Sequence, residues 1–240
     1  MISTSTGDYL KAIYDLASGE AWVSTSAIAQ RLGVAPSSVT SMTQRLADHG
    51  YAVYIPYQGV RLTAKGREAA LELLRHHRLL ELYLERALGY PWDRVHEEAE
   101  RLEHTISEEF EDRIDAALGH PTEDPHGHPI PPKHGAYRED PVESLWATRA
   151  GGPLVVRRVS DRDPEVLRYL DSVGLRPGAR ITVTGRAPFE GPLTIRSGGA
   201  EHVLGERLAE QIFVAPAGGG AGPGKRGPRE LALGSEERSP

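Results

Sequence analysis

The chain has 240 residues, 28 Lys and Arg against 34 Asp and Glu, a formal net charge of −6, and no cysteine. That composition excludes disulfides, thiolate zinc sites and cysteine nucleophiles, and it excludes a polyanion binder that works by overall charge. The charge is divided along the chain. Residues 24–67 hold Arg31, Arg45, Arg61, Lys65 and Arg67 against Asp48 alone, whereas residues 93–115 hold ten acids against three Arg. A basic module followed by an acidic one predicts two jobs. No apolar run reaches membrane-spanning length and the N-terminus lacks a signal peptide's apolar core, so a cytoplasmic protein with no membrane partner is expected.

In chain order, Tyr9, Leu10, Ile13, Tyr14 and Leu16 repeat with helical period, giving a first helix over about 7–18 that Gly19 ends. Ser24-Thr25-Ser26 supplies N-cap candidates for a short helix over Ala27–Leu32. Gly33-Val34-Ala35 is a tight turn, and Pro36 opens a third helix over Ser37–His49 that Gly50 stops. Ala52–Ile55 and Val60–Thr63 flank a Pro-Tyr-Gln-Gly turn, a hairpin signal. Helix, helix, turn, helix and hairpin is the winged helix-turn-helix order. Its expected DNA contacts are Thr25 and Ser26, then Pro36, Ser37, Ser38, Thr40, Ser41, Gln44 and Arg45 of the reading helix, and Gln58 and Arg61 of the wing. Small hydroxyls suit phosphates, and Gln suits adenine. Val39, Met42 and Leu46 are its core face.

Thr63 caps a long helix running to about Ala87. The acidic stretch then reads as one helix over about Asp93–Leu118. In such a helix His96, Glu100, Glu103 and His104 fall within about 100° of arc, beside an apolar stripe of Val95, Ala99, Leu102, Ile106 and Phe110. Two imidazoles and two carboxylates on one face suit a divalent metal. On the preceding helix His77 and Glu81 stand at i, i+4, and Asp8 lies one residue before the first helix's apolar repeat. His76 is read as exposed, and His126, His128 and His134 as parts of a polar Pro/Gly arm. Short strands at Leu154–Val156, Arg180–Thr184, Leu193–Ile195 and Gln211–Val214, with one helix over about Asp163–Val173, predict a small β-barrel.

The expected fold is therefore mainly α with a C-terminal β domain. A winged helix-turn-helix spans 1–75, a helical metal-binding domain 76–140, a linker 141–151, a small β-barrel 152–215 and a disordered tail 216–240.

These pieces together carry a resemblance. The opening DYLKAIYDL, the segments VAPSSVTSM, YQGVRLTAKG, HHRLLELYL and HEEAERLEH, and PHGHPIP after them, lie in matching order over about residues 5–215. In this the chain resembles the diphtheria toxin repressor and manganese transport regulator family of metal-dependent repressors, in its long form with an SH3-like domain. The resemblance implies a homodimer on near-palindromic double-stranded operator DNA, repressing metal-uptake genes. It implies one metal site at Asp8, Glu100, Glu103 and His104 and a second at His77, Glu81 and His96, completed from the barrel by Asp161 or Asp163. The iron-type members carry Met and Cys where this chain has Asp8 and Glu100. Hard oxygen donors make Mn²⁺ the expected ion, Fe²⁺ a second candidate, and Zn²⁺ or other divalent ions substitutes in vitro. The chain departs from the manganese-type pattern at Lys11, where those members have an acid. It departs from the iron-type pattern at Arg158, which stands where a barrel ligand is expected.

Two other readings compete. One is a winged-helix regulator indifferent to metal, its acids merely solvated. The other is a metal-dependent hydrolase, opposed by the missing second His of H-E-x-x-H after His96-Glu97. No enzyme activity is expected.

Overall fold

The computed structural model describes residues 3–17, 21–138, 142–149 and 151–217. Helix α1 (Thr4–Leu16) is capped by Ser3, α2 (Thr25–Leu32) by Ser24, and α2 ends on Gly33 in the left-handed conformation. That turn feeds α3 (Pro36–Asp48), which starts with proline at its first position. Strands β1 (Ala52–Ile55) and β2 (Gly59–Leu62) pair antiparallel as the wing, Ile55 opposite Gly59. Leu10, Ile13, Ile28, Val39, Leu46 and Val60 form the core of this first unit. Val39 and Leu46 are buried on α3 and Met42 packs half-buried against the same core, so the expected face holds, with Thr43 added to it.

Helix α4 (Ala64–Leu88) is capped by Thr63 and stopped by left-handed Gly89. The acidic stretch is two helices, α5 (Val95–Leu102) and α6 (Glu108–Ala117), which corrects the single helix expected over Asp93–Leu118. The break has a local cause. Thr105 returns its hydroxyl to the Leu102 carbonyl, and Ser107 accepts the Phe110 amide as the N-cap of a new helix. Glu108, Glu109 and Glu111 then occupy the first turn of α6, where its dipole favours acids. Phe110 leaves the apolar stripe and is exposed.

The C-terminal unit is a six-stranded antiparallel sheet in the order β3-β8-β4-β5-β6-β7. Its elements are β3 (Glu143–Ser144), β4 (Pro153–Val159), α7 (Pro164–Ser172), β5 (Arg180–Arg186), β6 (Leu193–Ser197), β7 (Ala200–Leu204), α8 (Glu206–Ala209) and β8 (Ile212–Pro216). β3 and β7 add to the four strands expected. β3 pairs with β8, and Leu145 is fully buried in the sheet's core, so this part of the expected linker belongs to the sheet. Pro216 and Ala217, expected in the tail, belong to the sheet as well, for the Ala217 amide bonds the Pro153 carbonyl. The remainder of the expected tail, from 218, lies outside the described residues. Trp92, from the turn between α4 and α5, is buried within this third core and so joins the helical unit to the barrel.

Candidate metal centre and DNA interface

Three stretches of backbone aim donors at the face of α4. The first is α1. Gly7 lets it approach closely: a Cβ there would stand 2.7 Å from His104 Cε1 and 2.8 Å from Leu73 Cδ1. Asp8 Oδ1 thereby lies 3.0 Å from His104 Nε2, which is 3.2 Å from Glu103 Oε1. Asp8, Glu103 and His104 form one cluster able to hold a metal ion. Glu103 and His104 sit in the turn that follows α5, so the helix break turns the Glu103 carboxylate inward to 1 % exposure. Glu100 stays out of this trio. It is half exposed, 3.4 Å from Lys11 Nζ and 3.9 Å from His96 Nε2.

The second cluster joins α4, α5 and the barrel through His77, Glu81, His96 and Asp161. Glu81 is fully buried, with Oε1 3.0 Å from both His77 Nε2 and His96 Nδ1. The two imidazole nitrogens are themselves 3.0 Å apart. His77 donates its other N–H to Glu103 Oε2 at 2.5 Å, so Glu103 links the two clusters. Asp161 Oδ2 lies 3.5 Å from His96 Nδ1. Asp163, the alternative, spends its Oδ1 on the amides of Glu165 and Val166 as the cap of α7. Arg158 packs its guanidinium over the Phe213 ring.

The third cluster, Asp124, His126 and His128, lies in the arm expected to be a polar loop. Asp124 Oδ1 accepts the amides of His126 and His128, folding the loop on itself. The His126 carbonyl accepts the Val159 amide, and Gly127, at φ 86°, lies where a Cβ would stand 2.0 Å from the Arg157 carbonyl. The arm is thus stitched to β4. His126 is fully buried, its ring stacked on Trp92 at 5.4 Å, its Nε2 3.1 Å from the Trp92 carbonyl and its Nδ1 3.6 Å from Glu81 Oε2. His128 Nδ1 is 3.2 Å from Asp124 Oδ2 and 3.9 Å from Asp161 Oδ2. His134 joins none of the clusters found among the described residues.

The donor set fits a divalent metal. Glu81 Oε2, Asp124 Oδ2, His126 Nδ1 and His128 Nδ1 are buried without a hydrogen-bond partner, four of five such side-chain atoms among the described residues. Each orphaned buried donor or acceptor costs about 1–3 kcal/mol, and gathering four in one place is the signature of a site built for an ion. Carboxylate oxygens and imidazole nitrogens are donors for Mn²⁺, Fe²⁺ and Zn²⁺. Electrostatics agree. Burial would push His77 down, but Glu81 and Glu103 lift it to about 10. Burial opposes His126 in the same way, yet Glu81 and Asp124 raise it to about 9. Burial would raise Asp161, and the His128 and His96 imidazoles hold it at about 2.

Two expectations are reversed by packing. His76 is buried, with Nε2 3.1 Å from Glu111 Oε2 and Nδ1 3.2 Å from the Glu103 carbonyl. His126 is buried and His128 half-buried as donors, and the signal available in the sequence was their His-x-His spacing two residues after an acid.

Pro36, Ser37, Ser38, Ser41, Gln44 and Arg45 are exposed along α3. Thr40 is half-buried and returns its hydroxyl to the Pro36 carbonyl. Ser26 is exposed and Thr25 half-buried at the start of α2. Gln58 is exposed beside Tyr57, which projects fully from the wing tip at φ 68°. Arg61 turns from that tip, its guanidinium 5.0 Å from the Trp22 ring centre, and lines a cleft of about 580 Å³ with Lys11, His77 and Asp161.

Comparison with known proteins places each unit. Residues 1–60 match the N-terminal DNA-binding domain of iron-dependent repressors, residues 63–132 their metal-binding and dimerisation domain, and residues 144–216 the FeoA domain. The iron-dependent repressor IdeR of Mycobacterium tuberculosis is 34 % identical over 224 residues, covering 88 % of this chain and 96 % of that protein. The regulator MntR of Lysinibacillus sphaericus is 40 % identical over 114 residues, 48 % of this chain and 81 % of that protein. A solved manganese-dependent transcriptional repressor in complex with manganese superposes with TM-score 0.79 at 42 % identity, over 88 % of this chain and 99 % of that one. The chain belongs to the iron-dependent repressor family, that of the diphtheria toxin repressor and the manganese transport regulators, in its long form with a C-terminal FeoA domain.

Proposed function

We propose that this protein is a metal-dependent, DNA-binding transcriptional repressor of metal-uptake genes, working as a homodimer with Mn²⁺ as its preferred ion and Fe²⁺ as the alternative. One observation carries the reading. Helix α1 puts Leu10 and Ile13 into the core of the winged helix-turn-helix while presenting Asp8 to His104. The reading head and the metal centre therefore share a rigid element.

The assignment of ligands follows the clusters. Asp8, Glu103 and His104 hold one ion, with Glu100 at its exposed rim. Glu81 and Asp161 serve a second with His77, His96 or the arm's His126, and Asp124 and His128 stand beside it. A bound divalent ion supplies two positive charges and directional bonds to carboxylate and imidazole. Asp8 and His104 then tie α1 to the end of α5, Glu103 couples that tie to His77 on α4, and Asp161 ties the barrel to the same helix. In the dimer this fixes the spacing of two α3 helices, whose exposed Ser37, Ser38, Ser41 and Gln44 face the operator, with Arg45 and Gln58 on its backbone. Phe110, exposed on α6, lies on the helical unit that a second copy covers. A tenfold preference of the ion for the DNA-competent form contributes about 1.4 kcal/mol per site.

The test is operator affinity by fluorescence anisotropy with and without Mn²⁺, Fe²⁺ and Zn²⁺, for wild type and His104→Ala. At least tenfold tightening by Mn²⁺ in wild type, lost in the variant, is expected. An operator affinity indifferent to all three ions overturns the reading in favour of a metal-independent regulator.

A further inference from the structure

The buried cluster of His77, Glu81, His96 and Asp161 meets solvent at His96 and Asp161, and these two residues line two separate openings. One is the cleft of about 580 Å³ that also holds Arg61. Among the described residues, seven Lys and Arg side chains line it against four carboxylates. The other is a groove of about 420 Å³ between α5 and the start of α7. Its charged lining is Asp93, Glu97, Glu100 and Asp161 against Arg101 and Arg162. A divalent cation therefore meets an excess of three positive charges on one route and of two negative charges on the other. Walls of one charge sign change the arrival rate of an ion by about 10- to 1,000-fold.

The groove also leads inward by steps. Side-chain exposure falls from 66 % at Glu97 to 52 % at Glu100, 29 % at His96, 18 % at Asp161 and 0 % at Glu81. His96 joins the two ends. Its Nε2 is 3.9 Å from Glu100 Oε1 in the groove, and its Nδ1 is 3.0 Å from Glu81 Oε1 and 3.5 Å from Asp161 Oδ2 in the cluster. Behind them Glu81 Oε2 and His126 Nδ1 are buried without a hydrogen-bond partner, so the groove ends on donors with nothing else to bind. An ion entering a buried place sheds water, and a carboxylate or imidazole within reach at each step offsets that cost. At the rim, Arg168 of α7 holds Asp93 at 2.7 Å and so pins the two walls together. Glu97 pairs with Arg101, but both are exposed, and such a pair is weak enough to yield to an ion.

We propose that divalent ions load the buried cluster through this groove, captured by Glu97 and Glu100 at its mouth and passed inward by His96, while the charge of the basic cleft turns them away. The inference rests on the proposed metal-sensing function and adds the route that its ion takes.

Stopped-flow transfer of Mn²⁺ from a chelating dye, with release into excess chelator, tests this on the whole chain. The variants are Glu97→Gln, Glu97→Lys and, as the mirror in the cleft, Glu210→Lys. Glu97 and Glu210 are both exposed, neither belongs to a ligand set, and Glu210 lines the cleft but not the groove. At about 20 mM ionic strength Glu97→Lys is expected to slow at least one uptake phase by about threefold or more, with Glu97→Gln between it and wild type. Release should slow by the same factor, so equilibrium affinity stays within about twofold. The difference should shrink in about 0.5 M NaCl, where such charges are screened. Glu210→Lys should leave every rate unchanged. Wild-type rates in every phase for Glu97→Lys overturn the proposal, and so does slowing by Glu210→Lys to the same extent. Faster release with unchanged uptake in Glu97→Lys makes Glu97 a ligand rather than an entrance, which overturns it too. A wild-type chain that takes up no Mn²⁺ sinks the metal-sensing function itself, a separate outcome.

Discussion

Glu81 Oε2 and His126 Nδ1 face each other across 3.6 Å, both buried and neither with a hydrogen-bond partner. One belongs to the longest helix and the other to an arm some 45 residues further on. The electrostatics around this pair govern how metal binding and stability follow pH.

A metal ion takes neutral imidazole, so binding must expel protons from His77, held at about 10, and His126, held at about 9. Near pH 7.5 one proton per protomer should leave for each of these imidazoles that ligates, and Mn²⁺ affinity should climb by roughly tenfold per pH unit for each until pH approaches 9. Calorimetric titration in buffers of different ionisation enthalpy reads the proton count directly. An affinity constant across pH 6.5–8.5 would contradict the assignment of these two imidazoles.

Metal-free stability should run the other way. Both histidines have folded values above the ordinary 6.5, so their contribution is complete below about pH 6.5 and is lost as pH rises through 9 to 10. Glu81 is held well below its ordinary value and Asp161 at about 2, so their contribution is present above about pH 4.5 and fades as pH falls. Chelator-treated protein should therefore melt at higher temperature at pH 6 than at pH 9, while Mn²⁺ raises the melting temperature more at pH 9 than at pH 6. Parallel melting curves for the two forms would show that the cluster does not bind the ion.

Gly7→Val should separate the reading head from the sensor. Its side chain would be driven into the His104 ring and Leu73, an overpacking cost of about 1–3 kcal/mol. We expect a folded dimer whose basal DNA affinity stays within about threefold but whose stimulation by Mn²⁺ is lost. Stimulation equal to wild type would mean that α1 does not transmit the signal.

Ser37→Glu places a charge at the exposed N-terminal turn of α3, against phosphate. Operator affinity should fall by at least tenfold, about 1.4 kcal/mol, with Mn²⁺ affinity unchanged. Unchanged operator affinity would show that α3 is not the reading helix.

Much of this molecule was legible in its residues because local chemistry announces itself. Pro36 and Gly33 delimit the reading helix, Thr63 and Gly89 the long one, and strand alternation in Arg180–Thr184 marks the barrel. The continuous acidic helix was misread because period alone does not register Thr105 and Ser107 turning back on the backbone. The inward placement of His76, His126 and His128 was invisible for a different reason. Their partners Glu111, Glu81 and Asp161 are 33 to 45 residues away in sequence and meet them only through the packing of α6, α4 and the barrel. Asp163 Oδ1 is taken by the cap of α7, whereas Asp161 faces His96.

The stacking of His126 on Trp92 gives the protein an optical handle of its own. The indole touches both the imidazole and the Arg176 guanidinium, which lies 4.6 Å from the ring centre. Of the three tryptophans in the chain, this is the one in ring contact with a candidate ligand, so a paramagnetic ion captured by His126 would quench its emission. Occupancy of the arm could then be followed by light in the unlabelled protein, independently of whether any DNA is bound.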